Sequence, residues 1–180
     1  LRYCQLLDEN ATKSKILTAM NKVFYAAKEN DVVVFFFSGH GYEGGFCAYD
    51  EYLSYKEIRK AMSKSKCKNK MIFADACFSG QLRTDKPTSQ SDIDASKKAN
   101  VMLFLSSRSN EVSMENKTMN NGFFTTYLQK GLKGEADRNN DNIITAGELF
   151  LYVHAGVKEI SKDRQHPVMW GKFPNDRSEE

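Results

Sequence analysis

The sequence predicts a single α/β domain, residues 1–180, built on a mostly parallel sheet with helices on both of its faces. Residues 32–37 and 71–74 are apolar without alternation and rich in β-branched or aromatic side chains, which is typical of strands buried on both faces of a parallel sheet. Residues 13–30 and 146–160 place apolar side chains at three- and four-residue steps, so each segment predicts an amphipathic helix. A chain of 180 residues is long enough to bury a sizeable core.

Local signals fix several ends of elements. We expect a strand at residues 1–7, followed by a helix that Asn10 or Thr12 caps. Ser54 and Glu57 form a capping-box signature at the start of the next helix, which should end near residue 63. The other expected elements are a small hairpin after residue 45, a long polar loop at 81–98, strands at 101–105 and 167–170, and a helix at 123–132.

Composition argues against several classes of function. The net charge is only +3, which gives no reason to expect a nucleic acid partner. No apolar run approaches the roughly 20 residues of a membrane span, so no membrane partner is expected either. The four cysteines, Cys4, Cys47, Cys67 and Cys77, form no CxxC pair. The chain opens on a strand-like segment without a lead-in, and we therefore expect it to be a fragment of a longer chain.

Each of the two apolar segments leads into a turn with a reactive side chain. His40 follows the first segment in Ser-Gly-His-Gly, and Cys77 follows the second in Asp-Ala-Cys-Phe-Ser-Gly. Taken alone, a cysteine is most often a small buried hydrophobe and a histidine is most often structural. Neighbouring parallel strands, however, would bring both side chains to one sheet edge, where ligands of open α/β sheets bind. There an imidazole can serve a thiolate nucleophile, and the chemistry predicted is peptide hydrolysis.

These two segments resemble the catalytic signatures of the caspase-like cysteine peptidases, on the metacaspase side. The similarity extends through residues 106–113, 122–127 and 165–167, and so covers nearly the whole chain. It implies a caspase-like three-layer sandwich. It also implies that Cys77 is the nucleophile, that His40 is the general acid/base, and that the N–H groups of Gly41 and Cys77 form the oxyanion hole. No cofactor is expected for catalysis, and no third catalytic residue is nominated.

Substrate selection is assigned to the residues around the nucleophile. Asp75 matches the metacaspase position that lines the S1 pocket and selects Arg or Lys at P1, and a carboxylate there would favour a cationic side chain. The alternative role for Asp75 is a strand-end cap held by backbone N–H groups. Ser106 and Arg108 follow the next strand and are further candidates for substrate binding, although Arg108 would attract an acidic P1 side chain.

The chain departs from the family pattern at two places. Metacaspases usually have a histidine where this chain has Phe78. The family's fold also opens with a central strand and a helix before the segment that matches Leu1, and neither is present here. The sheet should therefore lack its opening strand, which would leave an unpaired edge. An accompanying N-terminal fragment that completes the sheet is the partner that this departure suggests, besides a peptide or protein substrate.

An acidic loop between the last two predicted helices has the ligand spacing of an EF-hand calcium loop. Position 6 of such loops is usually glycine, and Asn142 is the next-best residue for a positive φ. The alternative is a solvated turn in which Thr145 caps the following helix. Bacterial caspase-like sequences resemble this chain in having an Asx-rich loop here, and we expect a structural or activating Ca²⁺. The candidate ligands are Asp137, Asn139, Asp141, Ile143 and Glu148.

Two functions of different classes follow from these observations. The first is a cysteine endopeptidase that uses Cys77 and His40 and cleaves after Arg or Lys. The second is a non-catalytic caspase-like module that acts as a calcium-responsive, partner-binding domain. The presence of both reactive side chains favours the enzyme.

Overall fold

A computed structural model of the chain describes residues 2–42, 44–77, 101–108, 111, 113–114 and 122–170. The expected loop at 81–98 lies outside these residues, as does Phe78. Within them, the strands are β1 (Val32–Ser38), β2 (Gly41–Tyr42), β3 (Gly45–Cys47), β4 (Tyr52–Ser54), β5 (Asn69–Asp75), β6 (Val101–Leu105) and β7 (Val168–Trp170). The helices are α1 (Lys13–Tyr25), α2 (Tyr55–Ser63), α3 (Phe123–Lys130), which continues into a π-helical turn at Gly131–Glu135, and α4 (Ala146–Ile160).

The central sheet has the strand order β1-β5-β6-β7. β5 pairs in parallel with β1 on one side and with β6 on the other, and β7 closes the far edge antiparallel to β6. The three short strands β2, β3 and β4 form a separate antiparallel sheet, which includes the predicted hairpin. The expected mostly parallel sheet is therefore confirmed, together with the short final strand at its edge.

Each face of the central sheet packs against its own pair of helices. Along β5 and β6, alternate side chains point to opposite faces, as the period of a strand requires. On one face, α1 and α2 contribute Ile16, Met20, Phe24, Ile58 and Met62, which pack with Val33, Ile72, Leu103 and Leu105. On the other, α3 and α4 contribute Phe124, Leu128, Leu149, Val153 and Val157, which pack with Phe73, Met102 and Phe104. These layers form the predicted three-layer sandwich.

The helix starts follow the predicted capping chemistry. Thr12 caps α1 by accepting a hydrogen bond from the Lys15 N–H at 3.4 Å. Ser54 and Glu57 form the expected capping box at α2, with each side chain bonded to the backbone of the other. α4 spans the predicted residues and begins with a second capping box. Caps of this kind satisfy N–H groups that have no partner within the helix.

The expected strand at residues 1–7 is wrong. Residues 2–7 form no strand, and a short 3-10 turn follows at Asp8–Asn10. Tyr3 and Leu7 are exposed, and Leu6 is only partly buried against the core beneath α1 and α2. β propensity stabilises an extended segment only where a neighbouring strand offers ladder hydrogen bonds and a packing surface, and no described strand does so here.

β1 is buried on one face only, which corrects the expectation for this strand. Val33 is 4% exposed, but Val32, Val34 and Phe36 on the other face are 58%, 48% and 47% exposed. These three side chains belong to neither core, because α3 and α4 pack over β5 and β6. Among the described residues no strand pairs with the outer edge of β1. β5 and β6 match the prediction, since both faces of these strands are covered.

Candidate active site

The carboxyl ends of three parallel strands lie side by side. Ser38 at the end of β1 is in register with Asp75 at the end of β5, and Ala74 is in register with Leu105 at the end of β6. Beyond the ladder, the Gly39 N–H donates to the Asp75 carbonyl at 3.1 Å. The segments that contain the two predicted reactive residues therefore leave the sheet at one edge, as the sequence predicted.

The two turns that follow these strands touch each other. A Cβ atom added to Gly41 would lie 2.1 Å from the Cys77 carbonyl oxygen and 3.1 Å from the Ala76 Cβ. Only a residue without a side chain fits this contact, which explains the glycine after His40. The His40 side chain is exposed and that of Cys77 is partly exposed. An imidazole and a thiol thus stand on touching turns with access to solvent.

The small sheet holds the His40 turn against the body of the protein. The His40 carbonyl accepts a hydrogen bond from the Cys47 N–H at 2.9 Å. Phe46 on β3 is fully buried and stacks on Phe37 of β1, with ring centroids 4.3 Å apart. Because Phe37 lies three residues before His40, this stacking anchors the segment from which the turn departs.

The Cys77 turn is held from the side of β6. The Ser106 hydroxyl accepts a hydrogen bond from the Ala76 N–H at 3.1 Å and lies 3.1 Å from the Ala76 carbonyl oxygen. The Ser107 hydroxyl reaches the same carbonyl at 3.4 Å. Both serines are 0% exposed. Substrate binding by Ser106 stays a prediction, and the structure buries its side chain behind the Cys77 turn. The sequence signal for Ser107 is its place beside Ser106 after the strand.

Asp75 caps a helix that lies far away in sequence. Its carboxylate accepts hydrogen bonds from the Ser113 hydroxyl at 2.5 Å, from the Thr125 N–H at 3.1 Å and from the Thr125 hydroxyl at 2.6 Å. The N-cap residue of α3, Gly122, supplies no side-chain bond, so Asp75 takes that role from another element. Asp75 is only 6% exposed. Asp75 thus acts as a cap, as in the alternative role considered for it, although two of its three donors are hydroxyls. Contact of Asp75 with substrate stays a prediction.

Gln165 ties the segments behind the site together, a role that the sequence did not reveal. Its side chain is fully buried. The amide donates to the Ser106 carbonyl at 2.8 Å and to the Ser113 hydroxyl at 3.3 Å, and it accepts from the Met114 N–H at 2.8 Å. The sequence showed Gln165 only as part of a segment that resembles the family.

Comparison with known proteins identifies the family. The family model of the caspase domain matches residues 1–176. The chain belongs to the caspase family. The crystal structure of protein GSU0716 from Geobacter sulfurreducens superposes with a TM-score of 0.67 at 18% sequence identity, covering 97% of this chain and 78% of that one, which shows a shared fold. No curated protein matches the chain. Membership of this family supports a caspase-like protease.

Arg108, the other substrate-binding candidate in this caspase domain, pairs with a carboxylate. Its guanidinium lies 3.6 Å from the Glu111 carboxylate. Glu111 also accepts from the His166 N–H and lies 2.9 Å from the His166 ring. Burial opposes ionisation of Glu111, but hydrogen bonds from the N–H groups of His166 and Arg108 outweigh it and lower its pKa. Asp163 approaches the other nitrogen of the His166 ring at 3.0 Å, so two carboxylates hold this imidazole.

The acidic loop folds on its own hydrogen bonds. Asn142 has a φ of 64°, so the positive φ predicted at this position is confirmed. The Asp137 carboxylate accepts from the N–H groups of Asp141 and Asn142. The Asp141 carboxylate accepts from the Ile143 N–H at 2.8 Å.

The calcium ligands proposed from the spacing include oxygen donors of the right type, and their carboxylates accept hydrogen bonds from the protein itself. Glu148, the expected last ligand, accepts hydrogen bonds from Thr145 and from the Arg138 N–H. Among the residues that the structure describes, no group of three or more His, Cys, Asp or Glu side chains is placed to hold a metal ion. Calcium binding by this loop therefore stays a prediction from the ligand spacing, and no step of the chemistry below depends on it.

The described part of the chain also contains no helix long and apolar enough to cross a lipid bilayer.

Proposed function

We propose that this caspase-family chain is a cysteine endopeptidase in which Cys77 is the nucleophile and His40 the general acid/base. The observation that supports it most is the contact between the two turns, where the Gly41 backbone packs directly on the Cys77 carbonyl. Parallel pairing of β1 with β5 brings both turns to the sheet edge where ligands of α/β folds bind. Exposure of His40 and partial exposure of Cys77 would let a polypeptide reach both side chains.

The proposed reaction is acyl transfer in two steps. The Cys77 sulfur, as thiolate, attacks the carbonyl carbon of the scissile bond, and His40 gives a proton to the departing amine. A water molecule then loses a proton to His40 and attacks the thioester carbon, which releases the carboxylate product and restores the thiol. In each step, negative charge on the carbonyl oxygen would be stabilised by the N–H groups of Gly41 and Cys77.

We further propose that the enzyme prefers Arg or Lys at P1, with Asp75 as the attracting charge. The Asp75 carboxylate lies two residues before the nucleophile and at the same sheet edge. A carboxylate offers about four lone-pair sites, and three of them already accept hydrogen bonds from Ser113 and Thr125. A basic P1 side chain would bind through the remaining site and through the negative charge.

The test of the catalytic pair is hydrolysis of fluorogenic peptides by single variants. Cys77→Ala should reduce the rate to background, and His40→Ala should lower kcat/KM by about 10²- to 10⁴-fold. Cys47→Ala is the matched control, because Cys47 is also an accessible thiol but lies in the small sheet, and it should retain full activity. Retention of activity in Cys77→Ala would falsify the assignment.

The P1 preference is tested with a peptide library that varies only that position. The wild type should cleave Arg and Lys peptides best, and Asp75→Asn should lose this preference by at least about tenfold relative to a neutral P1 residue. A wild type that prefers acidic P1 residues would instead point to Arg108 and refute the role of Asp75 in specificity.

A further inference from the structure

We propose that Ser106 and Ser107 are positioning residues that aim the Cys77 N–H at the oxyanion of the reaction. The inference rests on the proposed function, because it takes the Cys77 N–H as an oxyanion donor. It adds a pair of side chains that touch no substrate and act through the peptide bond in front of the nucleophile.

Just beyond the ends of β5 and β6, hydrogen bonds from the Ser106 side chain take the place of backbone hydrogen bonds between the strands. The last backbone bond between the strands runs from the Ser106 N–H to the Ala74 carbonyl at 2.9 Å. Two residues after Ala74, the Ser106 hydroxyl binds both the N–H and the carbonyl of Ala76, each at 3.1 Å. Ala76 is 1% exposed and both serines are 0% exposed, so water does not compete for these bonds.

The second step follows from the planarity of the peptide bond. The Ala76 carbonyl and the Cys77 N–H belong to one trans peptide unit and therefore point in opposite directions. Hydroxyls of Ser106 and Ser107 bind the carbonyl end at 3.1 and 3.4 Å. Fixing that end fixes the N–H end, which must point away from the buried serines.

The third observation is that the turn is also held on its other side and from behind. The next carbonyl, that of Cys77, packs against the Gly41 backbone so closely that no Cβ fits between them. Ser106 itself is held by the Gln165 amide, which donates to its carbonyl at 2.8 Å. The direction of the Cys77 N–H is therefore set before substrate arrives, which is the condition for electrostatic stabilisation of an oxyanion.

Kinetics of three serine variants test the inference. Ser106→Ala should lower kcat by about tenfold or more with a KM change below about twofold, since oxyanion contacts act mainly in the transition state. Ser107→Ala removes the longer of the two hydroxyl contacts to the Ala76 carbonyl, so it should disturb the turn less and lower kcat by a smaller factor than Ser106→Ala. Alkylation of Cys77 by iodoacetamide needs no oxyanion donor and should keep the wild-type rate in both variants.

Ser65→Ala is the matched control. Ser65 is also a buried serine whose hydroxyl accepts from one backbone N–H, that of Cys67 at 3.2 Å, and donates to one carbonyl, that of Phe24 at 2.8 Å. It precedes β5, at the end of the sheet away from the reaction. Ser65→Ala should lower stability but leave kcat unchanged. An equal loss of kcat in Ser65→Ala and Ser106→Ala would overturn the inference.

A spectroscopic measurement tests the positioning without turnover. The chain has only four cysteines, so ¹⁵N-cysteine labelling gives four backbone amide signals, and Cys77→Ala assigns that of Cys77. Ser106→Ala should shift the Cys77 signal and spare that of Cys67, and Ser65→Ala should do the reverse. An unmoved Cys77 signal in Ser106→Ala refutes the inference even if the wild type is active. A wild type with no hydrolysis that depends on Cys77 refutes the proposed function instead.

Discussion

At the scale of the residue, Gly41 shows how closely the site is fitted. A glycine beside a predicted catalytic histidine suggests that a substrate backbone passes close by. In the structure the close neighbour is the protein itself, because the Cys77 carbonyl occupies the space of a side chain at position 41. The sequence could indicate that the position is tight, but it could not indicate which atoms make it so.

Gly41→Ala should therefore separate the two turns. Displacement of reacting groups by about 1 Å can cost about 10²-fold in rate, and we expect a loss of at least that size in kcat/KM. Gly147→Ala is the control, because the nearest atom to an added Cβ there is 4.0 Å away and the residue lies within α4. That substitution should leave activity unchanged and raise the melting temperature slightly, since alanine favours a helix over glycine.

Asp75 shows the limit of prediction from local sequence. Its place at the end of β5 was predictable from the apolar run before it. Its three donors were not, because Ser113 and Thr125 lie 38 and 50 residues further along the chain. The sequence left the roles of cap and specificity residue open, and the structure shows the hydrogen bonds of the first.

Asp75→Asn should consequently destabilise the protein in the absence of any substrate. An amide offers only one acceptor oxygen to donors that now share two, so we expect a loss of about 1–3 kcal/mol in the free energy of unfolding by urea. The control is Asp31→Asn, at an exposed aspartate whose carboxylate accepts from the Lys28 N–H. Equal stability of Asp75→Asn and wild type would show that the cap contributes nothing.

At the scale of the element, the helices were more predictable than the strands. Apolar periodicity located α1, α2 and α4, and the polar residues at their starts gave the caps. These signals are local, so a single sequence contains them. Whether residues 2–7 form a strand, or how much of β1 is covered, depends on neighbours that the local sequence does not specify.

Glu111, which contacts both Arg108 and His166, should make the stability of the fold depend on pH. The pKa of Glu111 is lowered in the folded protein, so its charge stabilises the fold at neutral pH and this contribution is lost as pH falls through the folded pKa. Glu111→Gln should reduce the free energy of unfolding at pH 7 by about 1–3 kcal/mol. The difference from wild type should shrink below pH 4.5, the ordinary value for this group.

Urea titrations at several pH values measure this effect. Glu51→Gln is a suitable control, because the Glu51 side chain is 66% exposed and has one ion pair with Lys13 at 3.7 Å. Glu51→Gln should change the free energy of unfolding by no more than about 0.5 kcal/mol at every pH. A Glu111→Gln cost that is independent of pH would contradict the electrostatic origin and indicate a packing effect.

Calcium binding by the loop before α4 stays a prediction from the ligand spacing. If the loop binds calcium as its ligand spacing predicts, Ca²⁺ should raise the melting temperature of the wild type and leave that of Asp141→Asn unchanged. In the structure, the Asp141 and Glu148 carboxylates bind backbone N–H groups, so the loop would have to exchange these bonds for the ion. Identical melting temperatures with and without Ca²⁺ in the wild type would remove the hypothesis.

At the scale of the whole molecule, the described helices cover both faces of β5 and β6 but only one face of β1. Val32, Val34 and Phe36 form an apolar row that no described helix covers, next to a strand edge that no described strand pairs. We propose that an accompanying segment supplies a strand to this edge and covers the row. Sheet edges with exposed apolar side chains tend to recruit further strands, which supports the proposal.

A pair of neighbouring substitutions tests how the row behaves in this chain. Val34→Thr should change the free energy of unfolding by less than about 0.5 kcal/mol, and Val33→Thr, on the buried face, should cost about 1–3 kcal/mol. Once an added segment pairs with β1, the two costs should become similar. Equal costs in this chain alone, at every protein concentration, would show that the row is already covered and would refute the proposal.

The position of β5 between β1 and β6 has a consequence for the life of the chain before it is folded. The His40 turn leaves one neighbour of β5, the Cys77 turn leaves β5 itself, and the buried serines leave the other neighbour. These three parts are distant in sequence, so pairing between strands is needed to bring any two of them into contact. Under the proposed function, a nascent or partly unfolded chain therefore has a free thiol but no assembled active site, and peptide hydrolysis begins only when the long-range pairing of the sheet is complete.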